Sequence, residues 1–135
     1  MNRKPPILVS ACLVGLCTRY NGKLFDPPRN IKELDQYCWI PVCPEQLGGL
    51  PTPRTAADIK GGSGTDVLNG TARVICKDGT DVTRQFIQGA RQVLEIAEKQ
   101  QITAAILKAR SPSCGVDKQG VTAALLEQNN IDLIE

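Results

Sequence analysis

The apolar positions of this 135-residue chain follow two different periods. Short, nearly continuous apolar runs at residues 7–11 (Ile7-Leu8-Val9-Ser10-Ala11), 38–42 and 102–107 read as strands buried on both faces, because a parallel sheet covered by helices loses the in–out alternation of a half-exposed strand. Between residues 82 and 97 the spacing becomes helical. Val82, Phe86, Ala90, Val93, Leu94 and Ala97 fall on one side, while Arg84, Gln88, Arg91, Glu95 and Glu98 fall on the other. This predicts a long amphipathic helix capped by Thr80-Asp81. A last helix is predicted over 121–128, ended by Asn129-Asn130, with a final strand over 131–134. Asn30, with Glu33 three residues on, is an Asn variant of the capping box and predicts a short helix to about residue 37. Strand–helix alternation of this kind predicts an α/β fold. The expectation is a single domain over 1–135, in three layers, with a mainly parallel sheet and helices on both faces.

The remaining stretches are read as connections. Residues 12–28 are dense in turn formers, among them Asn21-Gly22 and Asp26-Pro27-Pro28. Residues 46–64 are Gly- and Pro-rich and read as one long loop, of the kind that is usually functional or mobile in a compact domain. Gly61-Gly62-Ser63-Gly64 lacks the glycine spacing, Lys and Ser/Thr of a phosphate loop and reads as a flexible connection. Residues 71–83 predict a β-hairpin or strand–turn pair around Asp78-Gly79, with Cys76 as a strand residue and not a ligand. Pro41 cannot donate to a sheet ladder, so the second strand is expected to be short or paired on one side only there.

Charge and composition narrow the function classes. The 16 basic and 14 acidic residues are interspersed, which leaves no continuous basic footprint for a nucleic-acid backbone. The apolar run behind Met1-Asn2-Arg3-Lys4-Pro5-Pro6 is too short for a signal-peptide core or a membrane span. A cytoplasmic protein is expected, and in a reducing compartment six cysteines point to metal binding or catalysis before disulfides. Histidine is absent. Acid–base work therefore falls to Glu, Asp, Lys, Tyr, Cys or water.

Three of the cysteines stand where a predicted strand runs out into a loop: Cys12, Cys43 and Cys114. In an open α/β sheet the ligand crevice lies beyond the carboxyl ends of the strands, so parallel neighbours would bring these thiols together. Three soft ligands suit a metal or a cluster with one coordination position left open. A structural zinc site wants four ligands, usually in Cys-x-x-Cys pairs. No such pair exists here, although Cys17, four residues beyond Leu13, would serve as a fourth ligand as readily as it would serve as a small buried hydrophobe. A four-iron four-sulfur cluster is normally held by four thiolates. On three, it leaves one iron open as a soft Lewis acid that favours a sulfur donor.

Glu45 is the only carboxylate within two residues of any of the three thiols. It is either a general acid or base facing the crevice or a surface glutamate. Ser111 and Ser113 either donate hydrogen bonds to substrate or cap the turn around Pro112. Lys108 and Arg110 either offset negative charge or face solvent. Arg19 either binds an anionic or carbonyl group or belongs to a plain turn with Asn21-Gly22.

Several blocks of the chain resemble the family called domain of unknown function 523. They are Val9-Ser10-Ala11-Cys12-Leu13-Val14-Gly15 with Arg19-Tyr20-Asn21-Gly22; Val42-Cys43-Pro44-Glu45 with Gly48-Gly49-Leu50 and Pro53-Arg54; Gly64-Thr65-Asp66-Val67-Leu68; Asp81-Val82-Thr83; Leu107-Lys108-Ala109-Arg110-Ser111-Pro112-Ser113-Cys114-Gly115; and Gly120-Val121-Thr122-Ala123-Ala124-Leu125-Leu126. The resemblance runs in order from about residue 7 to 135. The family includes thiouracil desulfidases, and the resemblance implies a four-iron four-sulfur cluster on Cys12, Cys43 and Cys114, Glu45 as catalytic carboxylate and Ser111 as catalytic serine. Such a cluster, with an exposed iron, is prone to loss in air. Arg19, Ser113 and Lys108 are the expected substrate-binding residues. One departure from the family pattern is the short connection Val116-Asp117-Lys118-Gln119, which leaves less chain to form a flap over the crevice.

The expected activity is that of a desulfidase that replaces the thiocarbonyl sulfur of a small heterocycle such as 2-thiouracil by oxygen from water and releases sulfide. The alternative is a non-catalytic sulfur-carrier or metal-binding module. A further reading is a metal-free cysteine redox or persulfide enzyme. The expected partner is the small thiolated substrate, with a homodimer left open and neither nucleic acid nor membrane expected.

Overall fold

The structure, a computed structural model, describes residues 4–23, 34–116 and 118–134. Strand β1 (Pro6–Ser10) lies in the middle of a parallel sheet. It pairs with β2 (Cys38–Val42) from Pro6↔Cys38 to Ser10↔Val42, and on its other side with β5 (Ala104–Ile106) through Leu8↔Ala105 and Val9↔Ile106. β6 (Asp132–Ile134) extends the sheet beyond β5, giving the order β2-β1-β5-β6. Ile7, Leu8 and Val9 are fully buried because each face of β1 is covered. Leu8 packs with Val93, Ala105 and Leu126 on one side, whereas Ile7 and Val9 pack with Leu13, Leu34 and Ile106 on the other. Pro41 pairs with Val9 on β2, which has no second partner among the described residues, so its missing N–H interrupts no ladder.

The predicted helix between the first two strands is described only from Leu34 onward, where the chain forms a tight turn closed by Tyr37 N–H to the Leu34 carbonyl at 2.9 Å. The proposed Asn30–Glu33 cap lies outside the described residues.

The long loop expected over 46–64 is corrected by the structure. After a single helical turn, α1 (Pro44–Leu47), the chain forms strand β3 (Ala57–Lys60), helix α2 (Gly64–Asn69) and strand β4 (Arg73–Cys76). β3 and β4 pair antiparallel, from Ala57↔Cys76 to Lys60↔Arg73, as a second small sheet. Four residues of Ala-Asp-Ile-Lys alternation between Gly- and Pro-rich flanks are too few to stand out as a strand in sequence. The pairing reveals it, because Ala57 and Ile59 turn to a core of Val67, Val74 and Phe86. Ser63 and Asp66 form a reciprocal capping box, so the Gly61-Gly62-Ser63-Gly64 run is the entry to α2 and not a flexible connection. The expected strand–turn pair over 71–83 is present as a short return, in which Cys76 N–H donates to the Thr80 carbonyl at 2.8 Å and Val82 N–H to the Val74 carbonyl at 2.9 Å. β4 finds its main partner in β3, and the returning chain contributes one bridge, Ile75↔Asp81.

Helix α3 (Thr83–Lys99) joins the two sheets. Its Phe86 and Ala90 enter the core under β3–β4, and Val93 and Ala97 enter the core under β1. The N-cap position is Val82, but Asp81 serves the helix start. Its Oδ1 accepts the Thr83 N–H at 2.9 Å, and Arg73 Nε and Nη2 both donate to its Oδ2 at 2.9 and 2.7 Å. Bonds from the Thr83 hydroxyl and N–H, with Arg73 beside them, hold this carboxyl down at about 2. Helix α4 (Val121–Gln128), buried at Val121, Thr122, Ala123, Ala124 and Leu126, ends at Asn130 in the left-handed region and returns the chain to β6. The short connection before it is pinned to α2, since Gln119 Oε1 accepts from Thr65 Oγ1 at 2.6 Å and from the Thr65 N–H at 3.1 Å. No helix among the described residues is long and apolar enough to cross a membrane.

α1 and α3 meet backbone to backbone at two glycines. A Cβ on Gly89 would overlap the carbonyl of Pro44, and one on Gly48 would overlap the carbonyl of Gln85. Glycine inside a helix ordinarily costs about 1 kcal/mol relative to alanine, so Gly89→Ala at an open position would stabilise α3. Here the added methyl meets backbone, and the variant is expected to lose about 1–3 kcal/mol in urea denaturation.

Candidate active site

The sheet order places the ends of β2, β1 and β5 side by side, and each delivers one of the cysteines picked out in the sequence. Cys12 follows β1 within a turn of 3-10 helix (Ala11–Val14), Cys43 follows β2 as the N-cap of α1, and Cys114 lies in the loop beyond β5. All three line one crevice of about 360 Å³. Glu45, Ser111, Lys108 and Arg19 line it too. Its second wall comes from the small antiparallel sheet, through Ala57 and Asp58, and from Lys77 in the turn after β4, and the exposed Tyr20 lines it as well.

Burial dominates the chemistry of the thiols. Cys114 is buried and its thiol is pushed up to about 12, chiefly by loss of water and further by Glu45, Cys12 and Cys43, while a hydrogen bond with Ser10 opposes the shift. Cys12 is also raised by burial, with Lys108 and Arg19 pulling back and Cys43 adding to the rise. Cys114 therefore senses both of the other thiols, and Cys12 senses Cys43. Cys43, half-buried, is placed with its Sγ 3.7 Å from the Thr18 carbonyl.

Glu45 occupies the first turn of α1, two residues past Cys43. Its carboxylate is held from both sides: Arg54 Nε donates to Oε1 at 2.9 Å and Ser113 Oγ donates to Oε2 at 3.3 Å. The Glu45 side chain is 15% exposed, so it is a crevice group and not a surface glutamate. Ser111 Oγ accepts the N–H groups of Ser113 and Cys114, both at 3.1 Å. Capping the turn around Pro112 and facing the crevice are thus one role for Ser111. Ser113 is buried behind Glu45 and does not line the crevice. Lys108 lines it with Nζ bonded to the Ala109 carbonyl at 2.6 Å, and its N–H is held by Ser10 Oγ at 2.8 Å.

The other cysteines stand apart from this set. Cys17 and Cys38 are exposed, and Cys76 closes β4 with its Sγ 3.9 Å from the Thr55 carbonyl. None of the three lines the crevice, so Cys17 is not positioned as the fourth zinc ligand. Among the described residues no three Cys, Asp or Glu side chains close on a single metal ion. Three thiols around a shared cavity, with an all-sulfur donor set, fit a cluster that has volume of its own.

Two residues escaped the sequence reading. Arg54 is the partner of Glu45, and Ser10 supports both Lys108 and Cys114. Arg54 stood in the sequence only as part of a Pro-Arg pair, and its reach back to Glu45 depends on the path of residues 48–56. Ser10 carries no signal in the sequence beyond its place in a strand.

The contrast in exposure has a direct readout. On alkylation with iodoacetamide at about pH 8, Cys17 and Cys38 are expected to react first, with Cys12 and Cys114 last. Peptide mass spectrometry over time checks this order, and early modification of Cys114 would contradict its burial.

Comparison with known proteins agrees over nearly the whole chain. The family described as 2-thiouracil desulfurase matches residues 7–135. The uncharacterized protein YbbK of Bacillus subtilis (strain 168) is 44% identical, over 90% of this chain and 89% of its own length. The solved structure of a [4Fe-4S]-dependent thiouracil desulfidase, TudS (DUF523Vcz), superposes with a TM-score of 0.80 at 33% identity, covering 97% of this chain and 90% of that one. An α/β scaffold shared with that enzyme, and a family match that takes in all three crevice thiols, lead to one conclusion: the chain belongs to the 2-thiouracil desulfurase family, the family of the DUF523 desulfidases.

Proposed function

We propose that this protein is an iron–sulfur-dependent desulfidase that converts the C=S group of a small thiolated heterocycle, such as 2-thiouracil, to C=O with water and releases sulfide. The observation that carries the reading is the meeting of Cys12, Cys43 and Cys114 in one crevice with a carboxylate clamped beside them. The three thiols would hold a four-iron four-sulfur cluster. Bound there, it supplies an iron with an open position, a soft Lewis acid matched to a thiocarbonyl sulfur.

The chain's own groups supply the rest. Glu45, fixed by Arg54 and Ser113, accepts a proton from the water that attacks the thiocarbonyl carbon, and a carboxylate oriented from two sides loses little freedom in doing so. Ser111 Oγ already accepts two backbone N–H bonds, which directs its own proton outward, toward charge that develops on the substrate. Lys108 and Arg19 lie near Cys12, where they offset the negative charge of thiolates and sulfide. Overall, C=S and H₂O give C=O and H₂S. The carbon keeps its oxidation level and no electron donor is needed.

Thiolate ligands must be deprotonated, so binding at Cys12 and Cys114 releases protons and strengthens as pH rises. The test is reconstitution without oxygen, followed by iron and acid-labile sulfide analysis, the visible spectrum and sulfide release from 2-thiouracil. Wild type is expected to hold about four iron and four sulfide per chain and to turn over. Cys114→Ser should lose the absorbance, whereas Cys17→Ser should keep it. Glu45→Gln should keep the spectrum and lose about 10²- to 10⁴-fold in kcat. Stoichiometric sulfide without turnover would instead indicate a sulfur carrier, and an active iron-free protein would overturn the cluster reading.

A further inference from the structure

Arg54 lines the crevice and is bonded to several of the segments that build it. Its side chain is 6% exposed. Nε reaches Glu45 Oε1 at 2.9 Å, Nη1 reaches Thr52 Oγ1 at 2.8 Å and the Pro51 carbonyl at 3.2 Å, and Nη2 reaches the Thr18 carbonyl at 2.9 Å and lies 3.9 Å from Cys43 Sγ. Its own N–H donates to the Tyr20 carbonyl at 2.6 Å. One planar group thus ties together the loop after β1, the start of α1 and the chain leading to β3.

We propose that Arg54 is a positioning residue that fixes the Glu45 carboxylate and the Cys43 sulfur relative to each other. The inference rests on the desulfidase reading, since it gives Glu45 and Cys43 their roles. The physical basis is the fork of donors on a rigid plane. A guanidinium can serve a carboxylate with one N–H and a carbonyl and a sulfur with another, at angles set by the group itself. A lysine ammonium carries the same charge on a flexible stem and cannot span all these partners at once. Once Cys43 carries negative charge, the Nη2 contact becomes a charge-assisted donor to sulfur. Hydrogen bonds to ligand sulfurs are among the levers that set a cluster's reduction potential. Arg54 makes no step of the reaction. It sets the place of the Glu45 carboxylate relative to Cys43, and puts a positive donor beside a sulfur that would serve as a cluster ligand.

The test compares wild type, Arg54→Lys and Arg54→Gln after reconstitution without oxygen, with iron and sulfide content, cluster reduction potential, kcat and KM measured on each. Both variants are expected to hold a full cluster. Arg54→Gln should show a more negative potential, because a positive donor near Cys43 is gone. Each variant should lose about 10- to 100-fold in kcat with KM little changed. Arg54→Lys, which keeps the charge, answers the question if Arg54→Gln does not fold: wild-type kcat in Arg54→Lys would overturn the requirement for the fork. An unmoved potential in Arg54→Gln, with kcat reduced only in proportion to the folded fraction, would reduce Arg54 to a structural residue while leaving the desulfidase reading intact. A wild-type protein that takes up no cluster and releases no sulfide would overturn that reading and this inference with it.

Discussion

The crevice depends on the parallel register of β1 between β2 and β5. Because Ser10 is paired with Val42, and Val9 with Ile106, the three strands run out at nearly the same level. Residues distant in sequence, Cys12, Cys43 and Cys114, then face a common space. A parallel sheet needs crossover connections, and these carry the helices whose packing makes the ladder a dry interior. The fully buried Ile7, Leu8 and Val9 are therefore more than core filling. Without them the ends of the strands would have no fixed relation.

The same dryness that stabilises the sheet determines the resting state of the thiols. Cys12 and Cys114 are kept in the neutral form by burial, which makes them small hydrophobes packed against the core until a soft cation displaces their protons. For Cys114 this protonated state favours the fold below about pH 9, and that contribution fades as pH climbs toward 12. Lys108 and Arg19 work in the opposite sense on Cys12, so the crevice combines a penalty for bare thiolates with compensation for charge already delivered.

The elements with strong periodicity were legible from sequence: the buried strand β1, the long helix α3 and the final helix and strand; β2 was legible as a strand but not buried on both faces as expected, because among the described residues it stands at the sheet edge with Cys38, Trp39 and Pro41 exposed. Their apolar spacing is a local property that survives without knowledge of the partner. The sequence also marked Cys12, Cys43 and Cys114 by their position at strand ends, and Glu45 by its nearness to Cys43, and the structure brings these four into one crevice. What could not be read was set by contacts distant in the chain. β3 is four residues long and becomes a strand only by pairing with β4 across α2. The role of Arg54 arises because residues 48–56 fold back over α1, a path written in turns and not in a hydrophobic period. Ser113 looked like a crevice residue because its neighbours are, yet the turn around Pro112 directs it behind Glu45.

The two walls of the crevice belong to different sheets, and α3 runs beneath both. At 1.5 Å per residue its 17 residues make a rod of about 25 Å, with Phe86 fastened under one wall and Val93 under the other. A rod of this kind does not stretch, and glycine-to-backbone contact with α1 removes the slack at its midpoint. The separation of the walls is thus set by one helix and what packs on it, and not by the loops that line the crevice.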